Sequence, residues 1–558
     1  MEADGPGSGG VAHRTPVDLP TQRLPAAPLG VLGAAIALLA WLTVAPRTPD
    51  LAAAAYRLDL FKHVGLAVYD EHWYAGHDVP GYSVLFPPLA WLLGLRAVGA
   101  LSVLVSTLCF ERLTVARFGL AGRWASLAFA LAAVGDVWIG RLAFALGLAF
   151  ALAAVLALVD KEGRDEGGEV SRSRIVVAVV LAAASGAASP VAGLLLALAA
   201  LSESLWRRSP RALLVLGVPA AFVALALAVL FPEGGFEPYP TLSFIATAAV
   251  VLGFAWALPR GNGMLRLGAG VYLLACVFFL FVSTPMGSNI ERYGVLLAGP
   301  LLICAVWRRG TALSASSRAL AIVAFCGWAV WAAWGPVRET LAVAGSPATN
   351  GAFYAPVERF LDAHARGPVR IEVPLTRTHW ETAELAPRVS LARGWEKQLD
   401  ERYDGVLLSP RLSAASYRRW LDEQAVSYVA LPDVQLDPSS AREGELISAG
   451  LPYLRKVYSS RHWQIDEVHA PTPIASGPGR LVSLGHDSFT LDVAQPGSFL
   501  VRVRYTPYWT ISRGAGCVQR GAGDWTRVDA QRPGRLNVHA SFSLARAFGA
   551  GRSCAASG

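Results

Sequence analysis

Acidic, imidazole and aromatic side chains are concentrated in one short segment of the chain, residues 70–83. The segment reads Asp70-Glu71-His72-Trp73-Tyr74-Ala75-Gly76-His77-Asp78-Val79-Pro80-Gly81-Tyr82-Ser83. Carboxylates and imidazoles can take up or release a proton during a reaction. Two interpretations stay open. The segment is either an aromatic belt at a membrane surface with solvated charges, or a binding and catalytic loop, since polar loops on a rigid scaffold often carry function.

The same segment offers possible ligands for a divalent ion in Asp70, Glu71, His72 and His77. Their spacing matches no defined metal motif, and the chain contains no CxxC or HExxH pattern. The sequence therefore predicts no metal site and leaves any cofactor unknown.

An amphipathic helix is predicted directly before this segment, over residues 51–69. Apolar side chains recur at helical spacing on one face, and they are Leu51, Ala54, Ala55, Leu58, Phe61, Val64 and Val68. Arg57, Asp59, Lys62 and His63 lie on or near the opposite, polar face. A helix with this pattern is expected to lie along the membrane surface. There Lys62 or His63 could hold a substrate phosphate or tune the pKa of Asp59.

Further polar side chains occur at the ends of apolar segments. Asp136 and Arg141 flank one predicted turn, and Asn289, Glu291 and Arg292 precede a later apolar run. Arginine at such a position can extend its charge to lipid headgroups, and it is equally suited to bind a phosphate with two parallel hydrogen bonds. Both interpretations of Arg141 and Arg292 stay open.

Tryptophans with charged neighbours mark the second half of the chain. Trp380 precedes Glu381, and Trp395 precedes Glu396 within the segment 393–398. A tryptophan face can stack on a sugar ring while an acid or amide holds its hydroxyl groups. The sequence predicts either this carbohydrate contact at Trp395 and Glu396 or half-buried tryptophans in an α/β core.

The elements that must position these residues are mostly hydrophobic. The chain has 558 residues, of which 54% are hydrophobic and 16% are charged, and apolar runs recur from residue 29 to residue 336. Such runs are typical of membrane-spanning helices. About 11 spans are predicted, at 29–46, 86–110, 123–139, 142–159, 175–189, 191–206, 212–231, 244–258, 267–283, 294–307 and 318–336. The Ser189-Pro190 pair could instead break one helix.

The basic residues between these spans predict an orientation. They cluster in alternate loops, as Arg112, Arg117, Arg123, Lys161, Arg164, Arg172, Arg174, Arg207, Arg208, Arg211, Arg260, Arg266, Arg308, Arg309 and Arg318. Loops rich in arginine and lysine remain in the cytoplasm. We therefore expect a multi-pass plasma-membrane protein with a cytoplasmic N-terminus and an extracytoplasmic C-terminal domain. The net charge of +8 is explained by topology, so no nucleic-acid partner is predicted.

The composition divides the chain into a membrane part and an outer part. A disordered cytoplasmic tail is predicted at 1–28, followed by a membrane domain at 29–336 with a long first outer loop at 47–85. The outer part is predicted as an α/β domain at 337–475 and a β-sandwich or jelly-roll domain at 476–558.

Two cysteines lie outside the predicted spans, Cys517 and Cys554. They bracket the last strands of the predicted β-sandwich, in a compartment that would be oxidising. We therefore predict that they form a disulfide.

This organisation resembles the GT-C superfamily of polyprenyl-phosphate-sugar-dependent glycosyltransferases, and more narrowly a group of large bacterial membrane proteins placed with it. The motifs that carry the resemblance are Trp73-Tyr74-Ala75-Gly76-His77, Pro80-Gly81-Tyr82-Ser83, Arg141-Leu142-Ala143-Phe144 and Leu391-Ala392-Arg393-Gly394-Trp395-Glu396. In the superfamily an acid in the first outer loop commonly serves as the general base. Asp59 matches by position, and four further acids compete for this role, namely Asp50, Asp70, Glu71 and Asp78.

The resemblance implies transfer of a sugar from a polyprenyl-phosphate donor to a cell-envelope glycan or lipid at the outer face. Asp59 would be the base, and the residues expected to bind substrate are Lys62, His63, Glu71, His77, Arg141, Asn289, Arg292, Trp395 and Glu396. Two alternatives stay open, a transporter or flippase of envelope precursors and a non-catalytic scaffold of envelope assembly. A transporter usually carries ionisable residues at the centre of its spans, where this sequence has almost none.

Overall fold

The structure is a computed structural model that describes residues 28–159, 171–259, 261–307, 314–549 and 554. The tail predicted at 1–28 lies outside the described residues apart from Pro28, and so do the basic residues of the segments 160–170 and 308–313 and at position 260. In the described residues up to position 343, the α-helices are α1 Leu29–Val44, α2 Pro49–Val64, α3 Phe86–Leu93, α4 Leu95–Phe118, α5 Leu120–Ile139, α6 Leu142–Val159, α7 Arg172–Ala188, α8 Pro190–Arg207, α9 Val218–Leu230, α10 Thr241–Ala257, α11 Gly263–Phe281, α12 Glu291–Trp307 and α13 Ala315–Val343.

Eight helices among the described residues are long and apolar enough to cross a membrane, which makes the chain a multi-pass membrane protein. The number reaches nine if α1 and α2, which meet at 79°, count together as one bent span. The prediction of about 11 spans is therefore not confirmed. The main reason is length, since α7 and α10 each have 17 residues while a bilayer core needs about 20.

The Ser189-Pro190 pair ends one helix and begins the next. Proline has no backbone N–H and fits the first turn of a helix, and the Ser189 hydroxyl accepts a hydrogen bond from the Ala192 N–H at 3.4 Å. Ala182 of α7 and Leu196 of α8 belong to one hydrophobic core. The two helices are therefore neighbours that pack against each other.

The first outer loop is a folded and largely buried segment. Residues 69–79 are buried, and a two-stranded antiparallel sheet, β1 Tyr69–Asp70 and β2 His77–Asp78, runs through them. The Tyr69 hydroxyl donates a hydrogen bond to the Arg504 carbonyl at 2.7 Å. This loop therefore connects the helices to the C-terminal part of the chain.

A five-stranded mixed sheet with short helices follows the membrane helices. The strands are β3 Arg370–Glu372, β4 Ser390–Leu391, β5 Val426–Pro432, β6 Leu454–Ser459 and β7 Trp463–Val468, in the order β4-β3-β5-β7-β6. The helices are α14 Ala355–His364, α15 Glu381–Glu384, α16 Lys397–Tyr403, α17 Ala414–Glu423 and α18 Ala441–Ser448. Strands β4, β3 and β5 are parallel, while β5, β7 and β6 are antiparallel.

Two four-stranded antiparallel sheets form the last part. Their strands are β8 Ala475–Ser476, β9 Gly479–Gly485, β10 Ser488–Val493, β11 Gly497–Arg504, β12 Trp509–Arg513, β13 Gly516–Arg520, β14 Trp525–Ala530 and β15 Gly534–Ala540, followed by a short helix α19 Leu544–Ala547. The orders are β12-β15-β10-β9 and β13-β14-β11-β8. Alternate apolar side chains of both sheets, such as Leu491 and Val501, share one core, as expected for a β-sandwich.

The predicted disulfide between Cys517 and Cys554 is confirmed, with the two Cα atoms 5.1 Å apart. It ties the residue at position 554 to strand β13. Because such a crosslink restricts the unfolded chain, it stabilises the sandwich.

Candidate active site

A cavity of about 1120 Å³ lies where the helices meet the C-terminal part of the chain. It is lined by residues near the ends of α5, α9 and α11, by residues 331–338 of α13, and by residues in the first half of α2 and near the starts of α6, α8, α10 and α12. Residues 395–398, just before and within α16, form the wall opposite the helices. The cavity therefore lies at one end of the helix bundle, and Arg117, Arg207 and Arg318 lie at the other ends of their helices.

Asp50, Asp136 and Arg141 form one charged wall of the cavity. The Arg141 Nε donates to Asp50 Oδ2 at 3.4 Å and its Nη1 donates to Asp136 Oδ1 at 3.2 Å. Asp50 and Arg141 keep 34% and 32% of their side chains exposed. Gly140 brings the two together, because it has a φ of +109° and a Cβ atom there would lie 2.3 Å from the Leu51 nitrogen.

Arg292 approaches the same wall from the start of α12. Its Nη2 donates a hydrogen bond to the Asn289 Oδ1, and its guanidinium carbon lies 4.9 Å from the centre of the Phe144 ring. The buried Nε of Arg292 has no hydrogen-bond partner in the described part of the chain. Arg292 therefore lines the cavity with a donor that is not satisfied by the described residues.

Arg57 of α2 connects the helices to the outer wall. Its Nη2 pairs with Glu396 Oε2 at 2.6 Å, and both side chains are almost fully buried. The guanidinium also lies over the Tyr82 ring, 3.8 Å from its centre. A cation over an aromatic face is a favourable contact, and so Arg57 fixes Glu396 and Tyr82 in the cavity wall.

Trp395 stands in the outer wall. One face of its ring stacks on the buried His379, with ring centres 3.4 Å apart. Lys397 and Gln398 line the cavity beside it. Trp380, in contrast, is 6% exposed and donates its Nε1 proton to the Arg47 carbonyl at 3.0 Å, so it is a core residue.

Glu233 and Glu237 line the cavity from the loop between α9 and α10. Burial raises the pKa of Glu233 well above its ordinary value, and the neighbouring Glu396 raises it further. Burial also raises the pKa of Glu237. The carboxyl groups of this loop therefore hold protons more tightly than exposed ones.

One side of the cavity is apolar and reaches the outside of the helix bundle. Leu225, Leu242, Phe279 and Trp334 line it. Leu242 of α10 is 79% exposed and Trp334 of α13 is 62% exposed. The cavity therefore combines a charged wall with an apolar opening between helices.

Five of the substrate-binding residues predicted from the sequence come together in this cavity, namely Arg141, Asn289, Arg292, Trp395 and Glu396. Glu71 is elsewhere, because its buried carboxylate forms an ion pair with Arg370 at 2.5 Å and joins the first loop to the sheet. His77 lies behind the wall that contains Glu396.

Asp59, Lys62 and His63 are not among the residues that line the cavity, and the roles predicted for them from the sequence stay predictions. Asp59 lies nine residues after Asp50, or about two and a half turns of helix, and therefore points from the opposite face of α2. Its carboxylate pairs with His63 at 3.4 Å, and Lys62 is exposed. Asp50 and Arg57, which are seven residues apart, share the face that lines the cavity.

Several lining residues were not predicted as site residues. Glu233 and Glu237 could have been found because they are the only charged residues of the loop 232–243. Arg57 was assigned to a solvated helix face, but it is 3% exposed. No local pattern indicates this, because its partner Glu396 lies 339 positions further along the chain.

No protein-family model matches the chain, and no curated protein matches it. Solved structures of the arabinofuranosyltransferase AftD from Mycobacteria are similar to it. One has a TM-score of 0.48 and 14% identity, and the match covers 93% of this chain and 57% of the AftD chain. Two structures of a mutant form are also similar. The first has a TM-score of 0.47 and 14% identity, and the match covers 92% of this chain and 60% of the mutant chain. The second has a TM-score of 0.45 and 16% identity, and the match covers 85% of this chain and 43% of the mutant chain. This chain therefore spans little more than half of the first structure.

Proposed function

We propose that this chain is a membrane glycosyltransferase that moves a sugar from a polyprenyl-phosphate donor to a cell-envelope glycan or lipid. The observation that supports this most is the cavity, in which arginines and a partly exposed carboxylate face an opening lined by apolar side chains. A polyprenyl-phosphate sugar has the same division, with an anion next to a long hydrocarbon tail.

The donor phosphate would bind between Arg141 and Arg292. The free Nε of Arg292 and the long contacts of Arg141, at 3.2 and 3.4 Å, leave both guanidinium groups able to bind an anion. The tail would leave the cavity between Leu242 and Trp334 and enter the bilayer. This arrangement holds the scissile bond at the membrane surface.

Asp50 would act as the general base. Its carboxylate would take the proton of the acceptor hydroxyl while that oxygen bonds to the anomeric carbon of the donor sugar. The bond between this carbon and the phosphate oxygen breaks at the same time, and polyprenyl phosphate leaves with its charge held by the arginines. Asp50 suits this role because it lies beside Arg141 and keeps a third of its surface open.

The acceptor would enter from the outer wall, beside Trp395. An aromatic ring fixed by stacking on His379 offers a rigid surface to a sugar ring, and Lys397 and Gln398 offer hydrogen-bond donors to hydroxyl groups. These features support a carbohydrate-containing acceptor.

The cavity would face the outside of the cell. The loops at its end of the bundle carry few basic residues, while Arg117, Arg207 and Arg318 lie at the opposite end. We expect a single cysteine introduced at the exposed Ser448 to react with a membrane-impermeant thiol reagent on intact cells. Labelling only after lysis would contradict this orientation.

A transfer assay with the purified chain and labelled polyprenyl-phosphate sugars tests the reaction. Asp50→Asn is expected to lower the transfer rate about 100-fold or more while the melting temperature stays close to that of the wild type. Asp59→Asn is the matched control, because Asp59 lies on the same helix and is equally exposed, at 33% against 34%. Full transfer by Asp50→Asn would overturn the assignment of the base, and no transfer from any such donor would overturn the proposed reaction.

A further inference from the structure

We propose that His77, Glu233 and Glu396 bind one divalent transition-metal ion, Mn²⁺ or Zn²⁺, in the wall of the cavity. One ligand atom from each of the three side chains lies within 4.8 Å of the other two. They come from strand β2, from the loop after α9 and from the residue before α16. A metal ion there would join the first loop, the helix bundle and the outer part of the chain.

The hydrogen bond of His77 leaves one ring nitrogen ready to bind a metal. Its Nδ1 lies 3.2 Å from the Asp70 carbonyl oxygen. Because a carbonyl only accepts hydrogen bonds, Nδ1 carries the proton and Nε2 keeps its lone pair. Metal-binding histidines commonly donate their second nitrogen to a carbonyl in this way.

The two carboxyl groups face each other with too few donors between them. Glu233 Oε1 is buried and has no hydrogen-bond partner among the described residues. Glu396 accepts from Arg57 and from the Gln398 side-chain amide at 2.5 Å, but neither donor reaches Glu233 Oε1. The pair therefore needs either one shared proton or one shared cation to remain buried.

The charges and donor types favour the cation. Arg57 balances one of the two carboxylates, so the ionised cluster keeps one negative charge. One imidazole nitrogen with two carboxylate oxygens suits Mn²⁺ or Zn²⁺ better than Ca²⁺ or Mg²⁺, which prefer oxygen ligands alone.

Metal binding to the full-length chain in detergent tests this without any transfer reaction. After treatment with EDTA and dialysis, we expect the wild type to bind one Mn²⁺ or Zn²⁺ ion per chain and to melt at a higher temperature when the ion is present. His77→Gln and Glu233→Gln are expected to bind the ion roughly 100-fold more weakly or worse. His63→Gln, which changes an exposed histidine outside the cavity, should bind as the wild type does.

Folding of the variants is checked by melting in the absence of metal. Glu233→Gln removes the contact between two carboxyl groups, so it should melt no lower than the metal-free wild type. A wild type that binds neither ion would show that the pair shares a proton, and it would overturn the proposal. Equal binding by wild type, His77→Gln and Glu233→Gln would also overturn it. Neither result bears on sugar transfer, which is measured separately.

Discussion

Arginines meet carboxylates in two parts of this molecule, and the protein satisfies their guanidinium groups to very different degrees. In the sheet region, Arg393 is 2% exposed. It binds both oxygens of Asp400, at 3.2 and 2.9 Å, and the Ser440 hydroxyl at 2.7 Å. We call the set around it the Arg393 cluster, which consists of Arg393, Asp400, Asp404, Glu372 and Glu443.

The cavity presents the opposite case. Arg141 is about one-third exposed and contacts Asp50 and Asp136 at 3.4 and 3.2 Å, and the Arg292 Nε has no partner among the described residues. Burying a charge is costly unless partners compensate it, so Arg393, whose three guanidinium nitrogens all have partners, is suited to holding the fold together. Open donors facing a cavity are suited to a ligand that completes them. The Arg393 cluster and the charged wall of the cavity contain similar numbers of charged groups. Among the described residues, they differ in how many guanidinium N–H donors lack a close acceptor.

The largest effect is expected for Arg393→Ala. This change leaves several buried carboxyl groups without their cation, and it should lower the free energy of unfolding of the outer part by about 3–5 kcal/mol. Thermal melting and limited proteolysis of the purified chain measure this loss. A variant that melts near the wild-type temperature would show that the cluster is not structural, and the contrast between the two regions would fail.

Arg292→Lys is expected to lower the transfer rate and to leave the stability nearly unchanged. Lysine keeps the positive charge but offers no planar pair of donors, so transfer should fall by about 100-fold. The free energy of unfolding should change by less than about 1 kcal/mol, because few partners are lost. Transfer rates and melting curves of the same preparation give both values. A large loss of stability with normal transfer would assign Arg292 to the fold.

Local patterns in the sequence were sufficient for some strands and for some helix ends. The alternation Phe489, Leu491, Val493 predicts a strand whose apolar face is buried, and β10 has this pattern. Arg141 and Arg292 were predicted together as candidates because each stands at the end of an apolar run. Both residues line the same cavity. Successive membrane helices alternate in direction, so the helix ends that contain these two arginines lie on the same side of the membrane.

Contacts between distant segments could not be predicted in this way. The choice between Asp50 and Asp59 depends on which face of α2 meets the turn at Gly140, and that turn lies 90 positions further along the chain. Arg57 was placed on the solvent-exposed face of α2, because the polar and apolar residues around it follow the pattern of an amphipathic helix. Its burial comes from Glu396 and Tyr82, and no periodicity in the helix contains that information.

A smaller effect, visible through its pH dependence, is expected for Glu372→Gln in the Arg393 cluster. Burial raises the pKa of Glu372 well above its ordinary value, and Glu443 beside it raises it further. An acid with a raised folded pKa stabilises the fold below its unfolded pKa, and this stability is lost as the pH rises through the folded pKa. The wild type should therefore lose stability above about pH 4.5, the ordinary value, and Glu372→Gln should lose less of it. Melting curves across the pH range test this, and parallel curves for both proteins would contradict it.

The smallest effect is expected for Asp59→Asn. The carboxylate makes one ion pair on the surface of α2, with His63 at 3.4 Å, and the His63 side chain is 64% exposed. A pair of this kind within a helix contributes about 0.2–0.5 kcal/mol, so the melting temperature should hardly change. Transfer should also stay at the wild-type rate, because the carboxylate points from the face of α2 that does not line the cavity. A 100-fold loss of transfer in Asp59→Asn, with Asp50→Asn fully active, would show that α2 presents its other face to the substrate, and the cavity described above would then not be the site of the reaction.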